Sequence, residues 1–210
     1  MRATGDYWNR PDVVTTFATA SPPGYLADIV PQGGPGAVAL DVGCGGGRNL
    51  PLLAERGYRV VGIDLHAEMV LRARGVAPGV AFCRADVAAL PVATARAAVV
   101  VCHGVLHNLP RPEQVCAAIG ELSRVVATAG VVSLNLFSAA HLDHRLTRLA
   151  DDRHRLPNGQ VMTLLPPERI AALCRAAGFE FVDGPFEYLH DADPGQRSVW
   201  RAVLRPTGTR

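Results

Sequence analysis

The chain has 210 residues and a mass of 22.3 kDa, enough for one domain that buries roughly 70% of its unfolded surface without a disulfide or metal staple. Hydrophobic residues make up 49% and charged residues 19%, which excludes a disordered or fibrous chain. With 21 basic and 19 acidic residues the net charge is +2, too near balance for a nucleic-acid footprint, and every basic residue is arginine.

Other classes fall away quickly. Cys44, Cys83, Cys102, Cys116 and Cys174 are odd in number and form no C-x-x-C pair, against a secreted disulfide framework or a zinc knuckle. The start, MRATGDYWNR, carries no apolar stretch of the signal-peptide kind. The apolar run 125–140 is broken by Thr128, Gly130, Ser133 and Asn135, and is too short and polar for a bilayer span. A soluble, cytoplasmic protein is expected.

Along the chain, short apolar runs alternate with helix-like segments. AVALDV (37–42), YRVVGID (58–64), VAFCRAD (80–86), AAVVVC (97–102) and VVSLNLF (131–137) are nearly continuous, as strands buried on both faces of a parallel sheet are. Between the first two, RNLPLLAERG puts Leu50, Leu53 and Ala54 on one helical face and stops at Gly57. Between the last two, PRPEQVCAAIGELSRVVA spaces Val115, Ala118, Ile119, Leu122 and Val126 as a helix does, with Pro112 in its first turn. PPERIAALCRAAGF (166–179) reads as a further helix, followed by strands FEFVDGPFEYL and SVWRAVLR joined by HDADPGQR. Two segments lie outside the alternation: 1–36, a cap with Tyr7, Trp8 and Tyr25, and 138–165, an arginine-rich insertion. Such excursions from a rigid sheet are usual places for substrate contacts.

The most specific stretch is LDVGCGGGRN (40–49), which follows a strand and opens a helix. Gly43, Gly45 and Gly47 permit positive φ and close approach of a ligand to backbone. The following helix start offers free N–H groups. Asp64 closes the next strand 21 residues after Gly43, where a carboxylate can take both ribose hydroxyls. A dinucleotide fingerprint needs glycine where Arg48 stands, which weighs against a nicotinamide cofactor. A P-loop is excluded because it needs a lysine.

These residues resemble the class I S-adenosylmethionine-dependent methyltransferases, over roughly residues 37 to 205. LDVGCGGGRN looks like their first motif, VVGIDLHAEMV the second-strand acid and CRADVAALP the third motif. CHGVLHNL, ELSRVVATAGVVSLNLF and LPPERIAALCRAAGFEFV resemble the segments around the fourth, fifth and sixth strands. The nearest subgroup is similar to the small bacterial tellurite-resistance and menaquinone-type enzymes. The chain departs from the family in Thr128-Ala129-Gly130, where Pro-Gly-Gly is frequent, and in Ala97-Ala98, where an aspartate is.

The resemblance implies a doubly wound α/β sheet of seven strands, mostly parallel, with an antiparallel C-terminal strand. It implies that Gly43, Cys44, Gly45 and Gly47 pass the methionine portion and ribose of S-adenosylmethionine, with Asp41 organising the loop. Asp64 would hold the ribose, Leu65 would lie on the adenine, Asp86 and Val87 would meet its edge, and backbone near Cys102 and His103 would face the methionine amino group. His103 and His107 follow the fourth strand, beside the reacting methyl, and an imidazole with a pKa near 6.5 can take a proton from the nucleophile. Tyr7, Trp8, Phe137 and His141 are the candidate acceptor contacts. His141, Asp143 and His144 read as a solvated arginine-rich face rather than a metal set, since only 141 and 144 share a helical face.

No Asp/Asn-Pro-Pro-aromatic motif and no Pro-Cys pair is present, so a small-molecule acceptor is expected rather than nucleic acid or a membrane. The expected function is methyl transfer to a small metabolite, in bacterial secondary metabolism and natural product biosynthesis. The alternatives are a relative that uses the same cofactor without transfer, a nicotinamide oxidoreductase, and a binding module.

Overall fold

A computed structural model describes residues 7–18, 20–191 and 195–208. In chain order the elements are α1 (Pro11–Ala18), α2 (Gly24–Ile29), β1 (Val38–Val42), α3 (Leu50–Glu55), β2 (Arg59–Asp64), α4 (Ala67–Val76), β3 (Ala81–Arg84) and β4 (Ala97–His103). A 3₁₀ turn (Leu106–Asn108) then leads to α5 (Pro112–Val125), β5 (Val126–Ser138), β6 (Thr147–Arg148), β7 (Arg153–Arg155), β8 (Val161–Thr163), α6 (Pro167–Ala176), β9 (Phe179–Asp191) and β10 (Gln196–Pro206).

Seven strands form one sheet in the order β3-β2-β1-β4-β5-β10-β9. β1 to β5 pair in parallel, and β10 is antiparallel to both β5 and β9. Helices cover both faces because the runs are apolar on both. Leu40, Val100, Cys102 and Leu134 face α5 and α6, while Ala39, Val99 and Val101 face α2, α3 and α4. Val115, Ala118, Ile119 and Leu122, spaced for burial, are all buried on α5, whereas Val126, expected on the same helix, is buried as the first residue of β5. Strand order reverses between β1 and β4, so the carboxyl ends of β1, β2 and β4 open onto one crevice.

Three differences from the sequence reading have physical causes. α4 is an additional helix: only Met69, Val70 and Ala73 of its ten residues are buried, too little apolar face for a clear period. β5 starts at Val126, directly after α5, and its pairing with β4 skips from Ala97↔Val126 to Val99↔Val131. Gly130 sits in that skip, and a Cβ there would lie 2.8 Å from the Ala97 carbonyl oxygen. The insertion carries the three-stranded sheet β6-β7-β8, whose Leu156, Met162 and Leu164 pack with Phe137.

Nor is the N-terminal segment a cap alone. Leu26 and Val30 are buried in the core, Arg56 donates to the carbonyls of Ala27 and Val30, and the Tyr58 hydroxyl donates to Pro31 O. Residues 1–6 and 19 of that segment, and 192–194 of the connection before β10, lie outside the described residues.

Candidate active site

The glycine turn that follows β1 owes its shape to close packing. Gly43 has φ +71°, and a Cβ there would stand 2.1 Å from Val105 Cγ2, in the loop after β4. The Gly43 and Cys44 N–H groups both donate to the Ile63 carbonyl, at 2.7 and 2.9 Å. Gly45 N–H donates to Asp64 Oδ2 at 2.9 Å, and the His66 N–H donates to Asp64 Oδ1 at 2.9 Å. The turn and the acid at the end of β2 are therefore one hydrogen-bonded unit.

This unit borders a cavity of about 340 Å³ at the carboxyl ends of the parallel strands. That size suits a small-molecule site. Gly43, Cys44, Gly45, Asp64, Leu65, Asp86, Val87 and His103 all line it, as does Trp8. Leu65 is half exposed, a free apolar surface at the rim, and Arg84 holds its carbonyl at 2.8 Å. Asp86 Oδ1 accepts the Ala88 N–H at 2.9 Å, which shapes the bend after β3.

Other expected residues lie off the cavity. Asp41 is buried beneath the turn, where Oδ1 accepts from Asn49 Nδ2 at 3.2 Å and Oδ2 has no partner among the described residues. Burial pushes its carboxyl up to about 7. Gly47 packs its backbone on Ala73 of α4 instead of facing the cavity. Cys102 is fully buried inside the sheet, and burial pushes its thiol and that of Cys44 well above the usual range. Tyr7 meets Trp8 edge-on at 5.2 Å and stands behind it. Phe137 stacks on His107 at 4.3 Å, and neither lines the cavity. His141 also lies away from it.

The expectation of an imidazole titrating near 6.5 is not met at either histidine. His103 is 5% exposed, and its Nε2 lies 2.7 Å from Ser133 Oγ. Burial first, then the charges of Arg48 and Arg201, push its pKa down to about 3. His107 is also pushed down to about 3, by burial and then Arg197, and its Nδ1 accepts the Phe137 backbone N–H at 3.0 Å. Both rings are neutral at physiological pH, and His107 is tied into the scaffold.

Several lining residues carried no distinct signal in the sequence. Arg48, Val105, Asn108 and Gln114 line the cavity, and Gln160 of the insertion donates to Asn108 Oδ1 at 3.2 Å. A cross-strand row, His103↔Asn135↔Arg201↔Phe186, runs over β4, β5, β10 and β9. Tyr25 of α2 lies on this row: its hydroxyl accepts from Asn135 Nδ2 at 2.8 Å and its ring stands 4.4 Å from the Arg201 guanidinium. Asn135 Oδ1 in turn accepts the Gly104 N–H at 2.9 Å. Only the register across β5 and β10 brings these together, which a linear reading cannot supply. Among the described residues no three His, Cys, Asp or Glu side chains gather as a metal set, and no helix is long and apolar enough to cross a membrane.

The residues fit a nucleoside cofactor with a charged tail. Glycine backbone at 43, 45 and 46 lines the cavity, and the carboxylate of Asp64 stands at its wall where β2 ends. Residues 40–134 match the family described as a methyltransferase domain. The chain is 30% identical over 160 residues to a ubiquinone biosynthesis O-methyltransferase of Hahella chejuensis, covering 71% of this chain and 65% of that one. It is 31% identical over 146 residues to a malonyl-[acyl-carrier protein] O-methyltransferase of Pectobacterium atrosepticum, covering 67% and 53%. It thus spans less than two thirds of either relative. A methyltransferase from Methanosarcina mazei superposes with a TM-score of 0.72 at 18% identity, over 89% of this chain and 99% of that one. The 1,6-didemethyltoxoflavin-N1-methyltransferase of Burkholderia thailandensis, solved with S-adenosylhomocysteine, superposes with a TM-score of 0.63 at 21% identity, over 96% and 81%. The chain belongs to the class I S-adenosylmethionine-dependent methyltransferases.

Proposed function

We propose that the protein transfers a methyl group from S-adenosylmethionine to a small-molecule acceptor. The observation that carries this reading is the single cavity shared by the glycine turn, Asp64, Asp86 and His103. When bound, the cofactor supplies a methyl group activated by its sulfonium. Asp64 takes the ribose hydroxyls, Leu65 and Val87 flank the base, and Asp86 meets its edge. The turn around Gly43 and Gly45 carries the methionine tail, held rigid by Ile63 O and Asp64. Trp8 closes the rim and excludes water.

His103 contacts the acceptor as a neutral ring, and alignment of nucleophile and methyl supplies the acceleration. The setting carries over from the sequence: a cytoplasmic step of bacterial secondary metabolism on a small molecule rather than a nucleic acid. The ubiquinone biosynthesis O-methyltransferase relative supports an acceptor of that size. The test is calorimetric titration with S-adenosylhomocysteine, then incubation with methyl-labelled S-adenosylmethionine and panels of phenols, amines and carboxylic acids. Micromolar binding and label in an extractable small molecule are expected. Absence of binding overturns the reading.

A further inference from the structure

The cavity holds donors that nothing among the described residues satisfies. Arg48, the first residue after the glycine turn, lines it, and no hydrogen bond or ion pair engages its guanidinium among the described residues. The nearby Asp41 is buried beneath the turn, where its Oδ1 accepts from Asn49, and among the described residues it makes no ion pair with Arg48. Arg201, the other cation acting on His103, is already engaged: it lies 4.4 Å from both the Tyr25 and Phe186 rings and 3.4 Å from Asp183.

The second donor is His103. Among the described residues, the only hydrogen-bonding partner of the buried Ser133 hydroxyl is His103 Nε2, at 2.7 Å. With Ser133 donating to Nε2, the ring proton resides on Nδ1 and is offered to a ligand. That Nδ1–H is buried and without a partner among the described residues, in a ring that borders the cavity with Arg48.

Arg48 and His103 offer a charged donor and a neutral one, and together they suit a ligand group that accepts from both. We propose that Arg48 and His103, the latter fixed by Ser133, form a subsite for an anionic oxygen of the methyl acceptor, a carboxylate or an ionised hydroxyl. An acceptor that arrives ionised needs no protein base, in keeping with a His103 ring that stays neutral. The donors face the acceptor rather than the cofactor: both cations act on His103, which stands 5.9 Å from Tyr25 of α2, whereas Asp64 and Asp86 line the crevice around β2 and β3. The assignment rests on the methyl-transfer reading above.

The experiment titrates the full chain, saturated with S-adenosylhomocysteine, with benzoate and with its neutral isostere benzamide. 4-Nitrophenolate against 4-nitroanisole forms the ionised-hydroxyl arm. At least tenfold preference for the anion is expected in one arm, and that arm identifies the source of the oxygen. In Arg48→Met the preference falls below threefold while S-adenosylhomocysteine affinity stays within threefold of the parent. Arg48→Lys, which keeps the charge, retains part of the preference. Ser133→Ala, which frees the ring, weakens it while leaving cofactor affinity in place. Equal binding of anion and isostere in both arms, or no binding of any probe, overturns the proposal. So does a tenfold loss of S-adenosylhomocysteine affinity in Arg48→Met, which assigns Arg48 to the cofactor's own carboxylate. If the parent fails to bind S-adenosylhomocysteine at all, the methyl-transfer reading falls first and the subsite with it.

Discussion

Asp64 and Gly45 meet through a 2.9 Å hydrogen bond from the Gly45 N–H to Oδ2, across the whole length of the α3 crossover. The other oxygen, Oδ1, accepts the His66 N–H at 2.9 Å. One carboxylate thus fixes two walls of the cavity, and a change at position 64 acts on both. Asp64→Asn keeps the shape but offers one acceptor and one donor to two N–H groups. A donor left unpaired there costs about 1–3 kcal/mol. Calorimetry with S-adenosylhomocysteine is expected to show a loss of tenfold or more, with the sheet intact by circular dichroism. Unchanged affinity sinks the assignment of Asp64.

Gly43 and Val105 form the second tight contact. Alanine at 43 meets Val105 Cγ2 at 2.1 Å and also has to adopt φ +71°. The two costs separate by mutation. Gly43→Ala alone is expected to lower the melting temperature strongly and abolish cofactor binding. Adding Val105→Ala removes the clash and leaves a backbone cost of about 1–2 kcal/mol. A double-mutant cycle that shows no coupling between 43 and 105 contradicts this packing.

What was legible in the sequence follows from these contacts. The glycine turn and Asp64 were readable because each requirement, positive φ or a terminal carboxylate, restricts the residue type at one position. β1, β2 and β4 were readable because both faces are buried along most of their length, so their runs are nearly continuously apolar up to Asp41, Asp64 and His103. β6, β7 and β8, of two or three residues each, are too short for any period. The histidines were located but their state was not. An imidazole's protonation depends on burial and on Arg48, Arg197 and Arg201, two of which lie far along the chain on β10. Tyr25 was noted only as an aromatic of the N-terminal segment. Its partner Asn135 lies 110 residues away, a separation only the folded sheet closes.

The N-terminal segment divides into core and rim. Leu26 is fully buried against the α3 and α4 side of the sheet, whereas Trp8 lines the cavity. Leu26→Ala therefore costs about 2–5 kcal/mol of stability by transfer and cavity formation. Trp8→Ala leaves the melting temperature within a few degrees and weakens S-adenosylhomocysteine binding several-fold. Urea unfolding and calorimetry on the two variants check this, and equal destabilisation by both contradicts the division.

Acid stability gives the last test, because the buried histidines and Asp41 act in opposite directions. His103 and His107 are pushed down to about 3 in the fold, against about 6.5 in the unfolded chain. Above 6.5 both states are neutral and the histidine contribution is fully present. As pH falls from 6.5 towards 3 the unfolded chain takes up protons that the fold refuses, so stability is lost across that window. Asp41, raised from 3.8 to about 7, contributes stability that is complete below 3.8 and lost as pH rises through 7. Two histidines against one carboxyl leave a net loss on acidification. His107→Asn keeps an acceptor for the Phe137 N–H but removes the titration, so the fall in melting temperature between pH 7 and 4.5 shrinks. Asp41→Asn removes the opposing contribution and makes that fall steeper. Scanning calorimetry across that range reads both. Identical slopes for the parent and His107→Asn mean that His107 is not held neutral by the fold.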